Sequence, residues 1–140
     1  MCLTVPYTPY LDPKTGKTVK KPVISVVLEH LGKELNLLGL VDSGADSTVF
    51  NAEYGLGIGL PVDRGAPESI GGIGGSLNCK PCEATLKFLT GEHARQIKTK
   101  IMFSREYKRP FVLLGHDTIF KLYEITFNDK DQKFIFKKFV

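Results

Sequence analysis

The sequence predicts an all-β fold: a small, closed, β-barrel-like domain with a glycine-rich hairpin and one short helix near the C-terminus. Residues 21–30 and 31–41 are dense in β-branched and aliphatic side chains around a short turn, which is typical of a β-hairpin. Residues 84–90 and 96–103 alternate apolar and polar side chains, as half-buried strands do. Residues 116–123 favour a helix. Many strands with so little helix indicate a closed β domain.

The two ends of the chain differ from each other. Residues 123–127 and 132–139 are apolar-polar runs around a polar turn and predict a C-terminal hairpin. The segment after Phe50 favours a second helix only weakly. Residues 1–20 carry proline and glycine at turn spacing and are expected to form an exposed arm or loose hairpin. The prediction is therefore an N-terminal arm followed by one domain over residues 21–140.

Composition and charge exclude several function classes. The chain has 140 residues, 19 basic and 15 acidic, for a net charge of +4 with the lysines spread along the sequence, so a nucleic-acid partner is not expected. No secretory signal and no apolar run long enough to cross a membrane is apparent, and three cysteines suit a reducing compartment. We expect a cytoplasmic protein, or one released from a larger precursor, with no membrane partner and no cofactor.

One carboxylate stands in an unusual place in LVDSGADSTVF, residues 40–50. Asp42 follows Leu40 and Val41 at the end of an apolar run, and Val49 comes soon after. A lone aspartate at a strand end is commonly a turn former or a cap. Here an unpaired charge among apolar groups would be costly, and residues 34–63 contain no basic residue to pair with it.

A second carboxylate sharing one proton would resolve this cost. Two carboxyl groups in close contact cannot both ionise, so one acts as an acid while the other acts as a base on a bound water. The D-S-G triplet occurs once and the sequence contains no internal repeat. The second copy of Asp42 can therefore come from an identical subunit across a two-fold axis, which predicts a homodimer.

Two glycine-rich segments invite comparison with nucleotide-binding loops. Residues 54–61 and 68–78 both lack the G-x-G-x-x-G spacing before a helix and the Gly-Lys-Ser/Thr ending of a P-loop. IGGIGG, residues 70–75, is better interpreted as a hairpin tip, since glycines allow positive φ and close backbone approach to a ligand. A floppy loop is the alternative. The apolar Ile73 between the glycines favours a flap that closes over an extended peptide.

These motifs, with FVLLGHDTIF near the C-terminus, resemble in order and spacing the retropepsins, the single-domain homodimeric aspartic proteases of retroviruses and their cellular relatives. The resemblance covers about residues 21–127 and implies the acid-protease fold. The paired-carboxylate chemistry above is the chemistry established for aspartic proteases. The resemblance therefore implies hydrolysis of peptide bonds in a peptide or protein substrate, with no metal or other cofactor.

The resemblance also implies roles for individual residues. Asp42 matches the catalytic acid, Ser43 the hydroxyl residue that bonds across the dimer, and Gly44 the glycine whose backbone faces the site. Asp46 matches the acid that meets the substrate backbone. The implied substrate-binding residues are Leu40, Ala45, Asp46, Ser47, Val49, Ile70, Gly71, Gly72, Ile73, Phe111 and Leu113. The alternative is a non-catalytic peptide-binding or dimerisation module of the same fold.

Gly115-His116-Asp117 departs from the family's Gly-Arg pattern, in which the arginine braces the acid at the position of Asp46. A histidine brace loses its charge near neutral pH. We therefore expect activity or dimerisation to weaken toward neutral pH, and His116→Arg to extend the profile upward. Cys79 and Cys82 form a C-x-x-C in strand-like sequence, which predicts structural thiols rather than a redox pair.

Overall fold

The computed structural model describes residues 1–72 and 74–139, and within them it contains twelve strands and two short α-helices. Ile73, the predicted tip of the flap, lies outside the described residues. The strands are β1 (Cys2–Pro6), β2 (Thr8–Leu11), β3 (Thr18–Lys21), β4 (Val23–His30), β5 (Lys33–Val41), β6 (Val49–Asn51), β7 (Glu68–Gly72), β8 (Gly75–Phe88), β9 (Arg95–Ser104), β10 (Val112–Leu114), β11 (Tyr123–Asn128) and β12 (Lys133–Lys138). The helices are α1 (Ala52–Gly57) and α2 (Ile119–Leu122).

Six strands close into a ring, which confirms the predicted closed β fold. The hydrogen-bonded order is β4-β5-β10-β6-β9-β8, and β8 pairs with β4 to complete the circuit. Closure removes the exposed edges that an open sheet of this size would leave. Both predicted helical segments are present, and both are short.

The first hairpin of the ring brings the chain to the candidate acid. β4 pairs antiparallel with β5 over eight residue pairs, from Val23↔Leu40 to His30↔Lys33. Val26 and Leu28 on β4 are fully buried, as strand alternation requires when one face meets the core. The tight turn places Leu31 at φ 49° and Gly32 at φ 81°, a conformation that favours glycine.

β8 is the longest strand and changes partner along its length. Residues 75–79 pair with β7, whereas residues 80–88 pair with β9, so the first five residues of β8 and β7 form a hairpin that leaves the ring. We call this the flap hairpin. Gly72 lies opposite Gly75, whose φ of 132° excludes most side chains. A glycine-rich hairpin at this position agrees with the sequence prediction.

The two chain ends pack together. β1 pairs with β12, and β12 pairs with β11, in a separate three-stranded sheet. Tyr7 is 5% exposed, and its ring lies 5.2 Å from that of Phe134 in an edge-on contact. β2 and β3 form the hairpin expected in the N-terminal arm. The division between an arm over residues 1–20 and a domain over residues 21–140 stays a prediction.

The ring encloses one main core and a smaller second cluster. The main core is built mostly of valine, isoleucine and leucine with several phenylalanines, and Phe50 contacts Phe103 edge-on at 5.9 Å. Burying each such side chain contributes about 2–3 kcal/mol before entropy is subtracted. Neither α1 nor α2 has the length of a bilayer-spanning helix, and the same holds for any helix in residues 1–72 and 74–139.

Candidate active site

Asp42 lies immediately after β5, where the chain leaves the ring. Its backbone N–H donates to the Leu114 carbonyl at 3.0 Å, so the parallel pairing of β5 with β10 extends one residue beyond the strand. Its Oδ1 accepts a hydrogen bond from the Gly44 N–H at 2.9 Å, and its carbonyl accepts one from Ala45 N–H at 3.2 Å. The carboxylate is half-buried and has one oxygen oriented by the backbone of its own loop.

A second loop, after β10, packs beneath this one. A Cβ added to Gly115 would lie 2.6 Å from the Ser47 carbonyl oxygen and 2.7 Å from that of Ala45. The next residue, His116, donates its backbone N–H to the Ala45 carbonyl at 2.8 Å. Only glycine permits this approach, because any Cβ would overlap the two backbone oxygens.

Thr48 joins the two loops from inside the protein. Its side chain is fully buried, and its hydroxyl donates to Asp117 Oδ1 at 2.7 Å. Because that bond uses the only hydroxyl hydrogen of Thr48, the Thr118 hydroxyl at 2.8 Å donates to Thr48 Oγ1, which also accepts the Gly115 N–H at 3.0 Å. This buried node fixes the position of the Gly115 turn under the Asp42 loop.

His116 does not contact the acid for which the sequence predicts a brace. Its Nε2 is hydrogen-bonded to the carbonyl oxygen of Ser43, so Nε2 carries the proton, and its ring stacks on Phe120 at 4.8 Å. No ion pair of Asp46 occurs among the described residues, and Asp46 is exposed. The expected ion pair is therefore wrong for this structure. A carbonyl acceptor needs an N–H donor, and it does not need a positive charge.

Three of the predicted substrate-binding residues meet in one apolar cluster. Val49 is 1% exposed, and Ile70 of the flap hairpin and Leu113 of β10 are partly buried against the same cluster, which also holds Cys79, Met102, Tyr107 and Leu77. Leu113 lies opposite both Leu40 on β5 and Val49 on β6. The flap hairpin therefore shares an apolar contact with β6 and β10. β10 is also the strand whose Leu114 carbonyl accepts the Asp42 N–H.

The other predicted residues lie at differing depths. Ser43, Asp46, Gly71 and Gly72 are exposed, and Ala45 and Ser47 are half-buried in the loop after β5. Phe111 is 8% exposed, and its ring contacts Tyr10 of the N-terminal hairpin edge-on at 5.1 Å. Tyr10 therefore covers part of Phe111.

Tyr107 is a residue of this site that sequence reasoning missed. It is 6% exposed, and its hydroxyl donates to the Phe111 carbonyl at 2.8 Å. Burial raises its pKa to about 12, and the charge of Asp42 adds a smaller increase that the charge of Arg109 opposes. No local pattern in the sequence around Tyr107 marks it, because its partners come from distant strands.

The C-x-x-C thiols do not pair. Cys79 belongs to the apolar cluster of Val49, Ile70 and Leu113, whereas Cys82 packs against the main core. The two side chains therefore point to opposite faces of β8. Both are free, and burial raises the pKa of each thiol. The prediction of structural or incidental thiols stays a prediction. Within residues 1–72 and 74–139, no group of three potential metal ligands occurs.

Comparison with known proteins identifies the class. The family model of the retroviral aspartyl protease matches residues 18–125, so the chain belongs to the retroviral aspartyl protease family. Among solved structures, a retropepsin-like aspartic protease from Rickettsia conorii aligns over 97% of this chain and 90% of its own, with a TM-score of 0.59 and 11% identity, a likeness of fold alone.

A second solved structure is the EIAV protease complexed with the inhibitor HBY-793. It is 26% identical and aligns over 70% of this chain and 84% of its own, with a TM-score of 0.46. No curated protein sequence matches the chain significantly.

Proposed function

We propose that the chain is an aspartic endopeptidase that is active as a homodimer, in the cytoplasm or after release from a larger precursor. The observation that carries the proposal is the placement of Asp42. Its carboxylate stands at the end of a core strand and is oriented by the Gly44 N–H, and the flap hairpin packs on Val49 and Leu113 of neighbouring ring strands. The family membership supports the same chemistry.

The mechanism requires two copies of this carboxylate. With Asp42 of each subunit at a two-fold axis, one carboxyl group holds a proton and the other accepts a proton from a bound water. That water attacks the peptide carbonyl, while the protonated acid donates to the carbonyl oxygen. The C–N bond then breaks as the nitrogen takes a proton, without a covalent intermediate. We propose that the Ser43 hydroxyl bonds across the dimer and holds the Asp42 loops of the two subunits together, while the Gly44 backbone faces the site.

The substrate is an extended peptide between the Asp42 loop and the flap hairpin. Leu40, Ile70 and Leu113 are half-buried and supply apolar surface, and we propose that the more deeply buried Val49 and Phe111 line the same pocket, so that large apolar side chains flank the cleaved bond. We propose that Asp46, which is exposed, meets the peptide backbone, and that Ala45, Ser47, Gly71 and Gly72 also contact the substrate. The proposal for Ile73 lies outside the described residues.

The competing function is a peptide-binding or dimerisation module without turnover. Such a module has no need for a carboxylate at the axis, where desolvation of a charge is costly. The intact D-S-G triplet and its ordered hydrogen bond favour the enzyme.

Asp42→Asn separates the two functions. Cleavage of a mixed peptide library is expected to fall by a factor on the order of 10³ or more, while the dimer measured by sedimentation persists. Asp131→Asn, in the exposed turn between β11 and β12, is the matched control and is expected to keep full activity. Undiminished cleavage by Asp42→Asn would exclude the proposed chemistry. Dimers containing one wild-type and one Asp42→Asn subunit should be as inactive as the double variant.

A further inference from the structure

The base of the flap hairpin is bonded to a segment outside the hairpin. Asn78 is the last residue but one of β8 that pairs with β7, and it lies opposite Ser69. Its backbone N–H donates to Glu106 Oε1 at 2.8 Å, and its backbone carbonyl accepts from the Ser104 hydroxyl at 2.9 Å. Both backbone groups of Asn78 are therefore satisfied by Ser104, the last residue of β9, and by Glu106 just after it.

Two further bonds close this arrangement. The Asn78 side-chain amide donates to Glu106 Oε2 at 3.5 Å, and the Glu106 N–H donates to Ser104 Oγ at 3.1 Å. Ser104 is 1% exposed and belongs to the ring through β9. A carboxylate that accepts from a backbone N–H makes a stronger bond than a neutral acceptor would. Glu106, Ser104 and Asn78 thus form a bonded unit, which we call the flap latch.

The latch joins two parts of the candidate site. The segment after Glu106 contains Tyr107, whose hydroxyl holds the Phe111 carbonyl. Tyr107 also packs in the cluster that receives Ile70 and Leu77 from the flap hairpin. Displacement of the flap hairpin at Asn78 would therefore pull on the segment that ends at Phe111.

We propose that Glu106 is a positioning residue that fixes the base of the flap hairpin to residues 104–111 and so limits how far the hairpin opens. Its effect on peptide cleavage rests on the proposed function, whereas its effect on the hairpin does not. β7 has its own polar anchor, the Glu68–Lys100 ion pair at 3.7 Å, but both side chains are exposed and the pair contributes little. Glu106 is exposed as well, but its carboxylate accepts a backbone N–H, which makes it the stronger restraint.

The test compares Glu106→Ala with Glu106→Gln and with a control on β8, the strand that contains Asn78. Glu83→Ala breaks the exposed Glu83–Lys98 ion pair on β8, at 3.6 Å and away from the flap hairpin. Hydrogen exchange of backbone amides is measured on the full chain without substrate. In Glu106→Ala, exchange in β7 and in residues 75–79 is expected to rise about tenfold, with the ring strands unchanged. Glu106→Gln keeps a carbonyl acceptor, so its exchange rate in the flap hairpin is expected to lie between those of the wild type and Glu106→Ala. Glu83→Ala is expected to exchange like the wild type.

Peptide cleavage gives the second readout. Glu106→Ala is expected to raise KM about tenfold and to change kcat less than about twofold, because the reacting carboxylates are untouched. Unchanged exchange in the flap hairpin, or an equal rise throughout the ring, would overturn the proposal. An equal loss in kcat and kcat/KM would also overturn it. If neither wild type nor variant cleaves peptide but exchange rises only in the flap hairpin, the latch stands and the proposed function fails.

Discussion

The hydroxyl of Thr48 donates to the carboxylate of Asp117 at 2.7 Å, joining residues 69 positions apart beneath the candidate acid. The same oxygen accepts the Gly115 N–H. One buried side chain thus sets the distance between the loop that begins at Asp42 and the turn at Gly115. The geometry of the site depends on this node as much as on the acid itself.

Thr48→Val is expected to lower the free energy of unfolding by about 2–4 kcal/mol, since the Gly115 N–H and the Asp117 carboxylate lose a buried partner while volume is conserved. Urea unfolding measures the change. Thr48→Ser keeps the hydroxyl and serves as the control, with an expected loss of about 1 kcal/mol for the missing methyl group. A Thr48→Val variant as stable as Thr48→Ser would contradict the role of the hydroxyl.

Gly115→Ala is expected to destabilise the protein by about 2–3 kcal/mol or more and to reduce cleavage, because the new Cβ meets backbone oxygens that cannot rotate away. Gly57→Ala is the matched control: a Cβ there has no heavy atom within 4 Å, and alanine is the better helix former. Thermal unfolding of both variants, with peptide cleavage, checks the prediction. Equal melting temperatures for the two variants would show that the loops can move apart.

His116 tests whether its contact with Ser43 needs charge. Nε2–H is present in the imidazolium and in one neutral tautomer, so His116→Arg is expected to leave the upper limb of the pH–activity profile unchanged, contrary to what an ion pair with Asp46 would give. His116→Phe keeps a ring on Phe120 but loses the donor, and its kcat/KM is expected to fall about fivefold, the effect of one ordinary hydrogen bond. An extension of the pH–activity profile to higher pH in His116→Arg would show instead that residue 116 acts through an ion pair with Asp46.

The sequence predicted those features that local patterns encode. Strand alternation indicated the β4–β5 hairpin, and glycine spacing indicated a hairpin near residue 72, because strand pairing and positive φ leave marks on neighbouring residues. Thr48, Glu106 and the acceptor of His116 could not be predicted. Their partners are 28 to 73 positions away, and side-chain hydrogen bonds at such separations depend on how the strands are ordered in the ring.

The three thiols are expected to differ in reactivity. Cys2 is exposed, whereas Cys79 is 2% exposed and burial raises its pKa, which lowers its thiolate fraction at mildly alkaline pH. Alkylation by iodoacetamide, followed by peptide mass spectrometry, should modify Cys2 first, then Cys82, and Cys79 about a hundredfold more slowly than Cys2. The difference should disappear in concentrated urea. Rapid modification of Cys79 in the folded protein would show that the base of the flap hairpin opens freely.

Alkaline stability reports on three buried phenols. Burial raises the pKa of Tyr7, Tyr107 and Tyr123 from 10.0 to about 12. Between these values the folded protein keeps protons that the unfolded chain releases. The stabilisation is therefore complete below pH 10 and is lost as pH rises toward 12. Each phenol contributes a slope of about 1.4 kcal/mol per pH unit in that window.

Tyr107→Phe removes one of these three contributions. At neutral pH the variant is expected to be about 1 kcal/mol less stable, because the Phe111 carbonyl loses its donor. Its stability should fall less steeply above pH 10, so the difference from the wild type narrows or reverses as pH rises. Urea unfolding from neutral to alkaline pH measures the loss at neutral pH and the slope above it. Because lysines and arginines titrate alike in the two proteins, their contribution cancels in the difference between the two free energies of unfolding. Parallel curves would show that the Tyr107 phenol ionises as easily in the folded protein as in the unfolded chain.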